Sequence, residues 1–111
     1  MVFDGKPHGL ARNWYDSGQL ADRVRYVDGK QEGLRTQWHE TGQKKSESHY
    51  RKGRQVGRYR EWDEQGRLQE EGQYDEQGRR QGTWTWYHEG KKANETYWKD
   101  GKWERDQMWF E

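Results

Sequence analysis

Cysteine and isoleucine are absent from the 111 residues, and proline occurs once, as Pro7. Without cysteine there is no disulfide staple and no thiolate metal site. That absence fits a reducing compartment, and a cytoplasmic location is the expectation. The opening stretch MVFDGKPHGL has no basic segment followed by the apolar run of a secretory signal. No stretch approaches the roughly 18 consecutive apolar residues of a spanning helix. Hydrophobic residues make up 27% of the chain, against roughly 45–50% in ordinary domains. On aliphatic content alone the chain reads as disordered. Charge of one sign is also lacking: 21 basic and 20 acidic residues leave a net charge of +1. Such a balance argues against a bulk electrostatic grip on nucleic acid and against attraction to an anionic membrane surface.

What the chain does have is aromatic side chains, 15% of the total, including 8 Trp. Each buried Trp or Tyr removes roughly 150–250 Å² from water. At about 25 cal/mol per Å² that is an upper bound of ~4–6 kcal/mol apiece. The aromatics are therefore the expected core, laid out as a thin seam.

Their spacing is periodic. Trp14, Trp38, Trp62 and Trp86 recur every 24 residues. Four residues after each stands a glycine, Gly18, Gly42, Gly66 and Gly90, and eight after that an aromatic, Tyr26, Tyr50, Tyr74 and Trp98. A period of this size signals a repeat architecture. The reading is a single repeat domain over 1–111, with units near 4–27, 28–51, 52–75 and 76–99 and a partial unit at 100–111.

Each unit divides into two halves, each closed by a turn signal such as Asp16-Ser17-Gly18 or Asp28-Gly29. Glycine supplies the positive φ that tight hairpins need. Between turns, apolar and polar residues alternate, as in Leu20-Ala21-Asp22-Arg23-Val24-Arg25-Tyr26. Period two with regular turns predicts an all-β antiparallel meander, an elongated single-layer twisted sheet. Nine strands are expected, near 9–15, 19–27, 33–39, 43–51, 57–63, 67–75, 82–88, 91–99 and 102–110. Gly9, Gly33, Gly57 and Gly82 fall at their starts, where glycine marks a bulge or close approach. One irregularity stands out: Tyr74 to Gly78 gains a residue over earlier copies, and Gly82 to Trp86 loses one. This predicts a bulge or longer turn near 75–79. Trp103 and Trp109 are expected to cap the far end.

Catalytic constellations are hard to find. Ser17 sits in a turn, and Ser46 and Ser48 lie in a charged strand without a flanking motif. No two of His8, His39, His49 and His88 have i, i+2 or i, i+4 spacing; His39 and His49 could meet across a hairpin, but surface or packing histidines are the expectation. The expectation is a protein that is not an enzyme, with no cofactor and no metal. Glu47, Glu71 and Glu95 also recur every 24 residues. They are either a row for a basic partner or a solvated strand face offset by the intervening Lys and Arg.

Trp14, Trp38, Trp62, Trp86, Tyr26, Tyr50, Tyr74 and Trp98 are the expected repeat core. Aromatics out of register with them, among them Tyr15, Tyr59, Trp84, Tyr87, Tyr97 and Trp109, include candidates for projection from the other face as binding anchors. Tyr59, Trp84, Tyr87 and Glu71 rank first as partner contacts, with Arg58, Arg60 and Glu47 second.

The pieces Asp28-Gly29-Lys30, Gly33, Trp38-His39-Glu40-Thr41-Gly42-Gln43 and Tyr50, continued by Gly53, Gly57, Trp62, Gly66 and Tyr74, resemble the MORN repeat. The similarity is to the bacterial variant found in YwqK-type antitoxins, and it extends over about residues 4–103. It implies a binding or scaffolding module. For the bacterial variant it implies toxin neutralisation, with a protein toxin as partner and its active site as the target of occlusion. The alternative implied by the wider family is a scaffold or membrane-peripheral module within a larger assembly.

Overall fold

The computed structural model describes residues 2–3 and 5–108, with side chains over 5–104. A small hairpin, β1 (Val2–Phe3) with β2 (Lys6–Pro7), precedes one nine-stranded antiparallel sheet. Its strands are β3 (Gly9–Trp14), β4 (Leu20–Val27), β5 (Lys30–Trp38), β6 (Lys44–Arg51), β7 (Arg54–Trp62), β8 (Leu68–Tyr74), β9 (Gly82–His88), β10 (Lys91–Lys99) and β11 (Lys102–Met108). Each pairs only with its sequence neighbours, so the order is that of the chain and β3 and β11 are open edges. The plate measures 51 × 36 × 13 Å, a single layer. The predicted meander and its nine strands are present; the hairpin β1–β2 was not anticipated.

Two kinds of turn join the strands. At Asp28-Gly29, Lys52-Gly53, Glu89-Gly90 and Asp100-Gly101 both central residues have positive φ, from 50° to 83°. This is the two-residue turn whose twist matches that of paired strands. At the turns ending on Gly18, Gly42, Gly66 and Gly78 the glycine N–H bonds the carbonyl three residues back, as in Gly18 to Tyr15 at 2.9 Å. Long and short turns alternate through the first half of the sheet. The turn over 75–79 is long where a short one is due, and Glu89-Gly90 is short where a long one is due. The longer turn expected near 75–79 is thus found. Its Asp-Glu-Gln-Gly-Arg sequence repeats that of 63–67, with the aspartate bonded to the arginine side chain at 2.8 Å in both.

The swap has a consequence for the faces. Residues paired across strands share a face, and neighbours along a strand alternate. One row runs Arg12, Arg23, Thr36, Glu47, Arg60, Glu71, Thr85, Glu95. We call its side the charged face. Trp14, Trp38 and Trp62, each two residues along from this row, share that face. Trp86, one residue from Thr85, lies on the other. The missing residue between Gly82 and Trp86 has moved it across the sheet. Tyr26, Tyr50, Tyr74 and Trp98 also occupy this opposite, aromatic face, each paired with a strand glycine.

The core is smaller than the tryptophan series suggests. Among the described residues, Val24, Val56 and Trp84 are the buried hydrophobics, and Thr36, Ser46, Ser48 and Thr85 are buried polar residues. Trp14 is 57% exposed, a departure from the expected seam, because an edge strand has no neighbour to cover it. Gly33 and Gly57 mark bulges as expected, but not at strand starts. They lie inside β5 and β7 with φ of 85° and 72°, where the pairing with the preceding strand slips. The strands begin three residues earlier, at Lys30 and Arg54, and continue through the bulge.

Candidate binding face

On the charged face, β6, β7, β8 and β9 bring together five of the seven ranked contacts. Glu47, Arg60 and Glu71 stand directly opposite one another on β6, β7 and β8. Arg58 precedes Arg60 by two residues on the same side. Tyr87, two beyond Thr85 on β9, reaches back so that its hydroxyl donates to Glu71 Oε2 at 2.6 Å. Arg60 Nε lies 3.5 Å from Glu71 Oε1, an ion pair. Lys44 Nζ pairs with Glu47 at 2.9 Å.

Of these, Arg58, Glu71 and Tyr87 line a shallow depression of about 310 Å³, together with Gln73, Thr83, Thr85, Lys92 and Glu95. Its floor is Thr85, 5% exposed, whose hydroxyl lies 3.3 Å from Glu95 Oε2. Two carboxylates flank it, each held by a phenol: Tyr87 on Glu71, and Tyr97 on Glu95 at 2.6 Å. Burial, then the bond to Glu71, pushes Tyr87 up to about 12. The phenol therefore keeps its proton at neutral pH and donates. The depression presents fixed charges of both signs and oriented hydroxyls, which suits docking of a polar surface. Thr83, Thr85, Gln73 and Lys92 join it only once the register is known; no short motif marks them.

The other two ranked contacts lie on the aromatic face. Trp84 is 0% exposed, which removes it from the contact surface and corrects its reading as an exposed anchor. Its ring stacks on Tyr59 (centroids 6.0 Å), meets Tyr74 edge-on (5.1 Å) and tilts against Trp86 (6.2 Å). Its indole N–H donates to the Gln73 carbonyl at 3.1 Å, which satisfies the buried donor. The Arg80 guanidinium sits 4.5 Å from the Trp84 ring and 5.0 Å from Trp98. Gly72 makes the arrangement possible: a Cβ there would fall 2.1 Å from Trp84 Cδ2. Tyr59 donates to Glu61 at 3.1 Å, and burial raises its pKa, reinforced by the Glu61 charge. Tyr59 and Trp84 thus form an aromatic cluster behind the charged face.

The histidines do not gather. His39 Nε2 lies 2.9 Å from the Trp62 carbonyl, while His49 stands opposite Leu34 and Val56. Among the described residues no three His, Asp or Glu are placed to hold a metal ion. Trp109 lies outside the described residues.

The family model of the MORN repeat variant matches the chain three times, at residues 7–28, 31–52 and 55–76. Together these span more than half of it. No curated protein matches. The matches stop where the order of long and short turns changes.

Proposed function

Since the chain belongs to the MORN repeat-variant family, whose repeats are generally non-catalytic protein-binding modules, we propose that it is a cytoplasmic immunity protein that neutralises a bacterial toxin. The observation that carries this reading is the convergence of Glu47, Arg58, Arg60, Glu71 and Tyr87 on one face of a plate whose other face holds the aromatic cluster. The charged face covers the toxin's active-site region. Its alternating charges match complementary groups and set the docking register, and the plate excludes substrate by its bulk. Tyr87 and Glu71 are the central contacts, and truncating a true anchor costs on the order of 2 kcal/mol or more.

The test is affinity purification from the source cell, followed by expression of any stoichiometric partner alone. The expected partner arrests growth by itself. Co-expression of the chain restores growth, and the double variant Glu71→Arg, Tyr87→Ala does not. A partner that is harmless alone would sink the toxin reading and favour a scaffold role, to which the two open sheet edges also lend support.

A further inference from the structure

The repeat itself shows what covers a tryptophan at the Trp14 position. Inside the sheet, the strand before the tryptophan supplies a cation. Arg23 of β4 lies 5.6 Å from the Trp38 ring, and Lys44 of β6 lies 5.7 Å from Trp62. A side chain of the preceding unit also reaches the tryptophan carbonyl. The Tyr15 hydroxyl donates to Trp38 O at 2.6 Å, and His39 Nε2 lies 2.9 Å from Trp62 O. Trp14 holds the equivalent place on edge strand β3. It is 57% exposed. Among the described residues no cation covers it, no side chain bonds its carbonyl, and no strand pairs with the outer side of β3. Leu10, two residues before Arg12 on the same face, is 40% exposed.

We propose that the outer edge of β3 is a docking site for an extended segment of a partner protein. That segment adds as an antiparallel strand and lays a lysine or arginine across Trp14. Charge identifies its chemistry further. Within the sheet Arg60 is flanked by Glu47 and Glu71, whereas Arg12 has Arg23 on its inner side and no strand on its outer side. The incoming strand therefore carries an acidic residue opposite Arg12 and a cation toward Trp14. This is the relation β6 bears to β7, with Glu47 opposite Arg60 and Lys44 over Trp62. Two copies joined β3 to β3 fit poorly, because β3 holds no acidic residue to stand opposite Arg12 of the other. Inside the sheet β4 and β6 carry the covering cations. Main-chain bonds to an open edge supply affinity in such additions, and side-chain pockets supply selectivity. The site stands on the edge alone and does not depend on the charged-face reading.

The probe is a synthetic peptide of residues 42–52, the β6 sequence, titrated into the isotope-labelled chain and followed by amide shifts. Shifts are expected to be saturable and confined to β3 and its border. Trp14→Ala in the protein, or alanine in place of Lys44 in the peptide, should weaken binding roughly fivefold. Trp103→Ala, exposed at the far end of the sheet, and Glu71→Arg should leave it unchanged. A peptide of the β4 sequence, with Arg23 facing Arg12, should bind more weakly than the β6 peptide. No β3 shift at millimolar peptide would overturn the proposal, as would binding indifferent to Trp14→Ala. Sedimentation showing a dimer in which β3 amides are already protected would also overturn it, by giving the edge to a second copy.

Discussion

Arg35 and Trp84 occupy the same slot of the repeat, two residues after a bulge or strand-start glycine on the aromatic face, and they solve it in opposite ways. Arg35 makes two bonds to Asp22, Nε to Oδ1 at 3.1 Å and Nη2 to Oδ2 at 2.8 Å, and faces Ser48. The bond to Asp22 also raises the arginine's pKa. Trp84 lies over Gly72 and gathers Tyr59, Tyr74, Trp86 and Arg80 around it. Across the slot from the paired strand stand Val24, Ser48, Gly72 and Thr96, so the residue facing the largest side chains is the one with none. A glycine with positive φ, Gly9, Gly33, Gly57 or Gly82, stands two residues before the slot in every unit. What fills the slot is free to vary, and only the C-terminal half uses it to build an apolar cluster.

The comparison breaks if the two slots contribute equally. Trp84→Ala should cost about 3–5 kcal/mol, the range for deleting a fully buried large aromatic. That is a large share of the roughly 5–15 kcal/mol that holds a domain of this size. Arg35→Ala should cost about 1 kcal/mol, the net worth of a partly exposed charged hydrogen-bond pair. Urea denaturation of the two variants measures the difference directly, and similar midpoints would refute the contrast.

Gly72→Ala sharpens the same comparison. The added methyl would overlap the Trp84 ring, at 2.1–2.6 Å from three of its carbons. Overpacking of this kind costs about 1–3 kcal/mol. In a Trp84→Ala background the clash partner is gone, and Gly72→Ala should cost far less. Gly33→Ala is the control for backbone strain alone: it has open space around the Cβ but a φ of +85°. Its cost should be ~1 kcal/mol. Equal effects of Gly72→Ala in both backgrounds would show that the tryptophan is not what the glycine accommodates.

The fold was legible because its signal is redundant. Turn glycines, alternation and a fixed period all point to one meander, and the insertion and deletion around 75–86 mark where turn order changes. The faces were not legible. A one-residue slip exchanges them, and the deletion before Trp86 does this silently: the residue keeps its 24-residue spacing yet crosses the sheet. Trp84 looked like a binding anchor because it breaks the Trp series. Counting from Gly82 instead of from Trp62 places it with Tyr59 and Arg35, inside the slot. Glu47, Glu71 and Glu95 could be grouped from spacing, and their pairing through Arg60 and Thr85 keeps them on one face although the insertion and deletion lie between Glu71 and Glu95. Lys92, Thr83 and Gln73 enter the depression only through cross-strand register, which no single segment encodes.

The smallest expected difference between the halves is electrostatic. Glu70 sits opposite both Glu61 and Trp86 on the aromatic face, and Ser46 holds the equivalent place one unit earlier, its hydroxyl donating to Gln37 Oε1 at 2.9 Å. Burial raises the Glu70 pKa, and the Glu61 charge adds to this, partly offset by Arg80. A carboxyl whose folded pKa exceeds its unfolded value contributes stability below the unfolded pKa and loses it as pH rises through the folded one. Glu70 therefore opposes folding at neutral pH. Glu70→Gln should raise Tm at pH 7 by at most about 3 °C, and the gain should shrink as pH falls toward about 3, below the unfolded glutamate pKa, where the carboxyl is protonated in both states. Ser46→Ala carries no titrating group and should show the same offset at both pH values. A gain for Glu70→Gln that persists unchanged at the acidic end would mean the glutamine acts through packing, and that the charge is not what separates the two halves at this position.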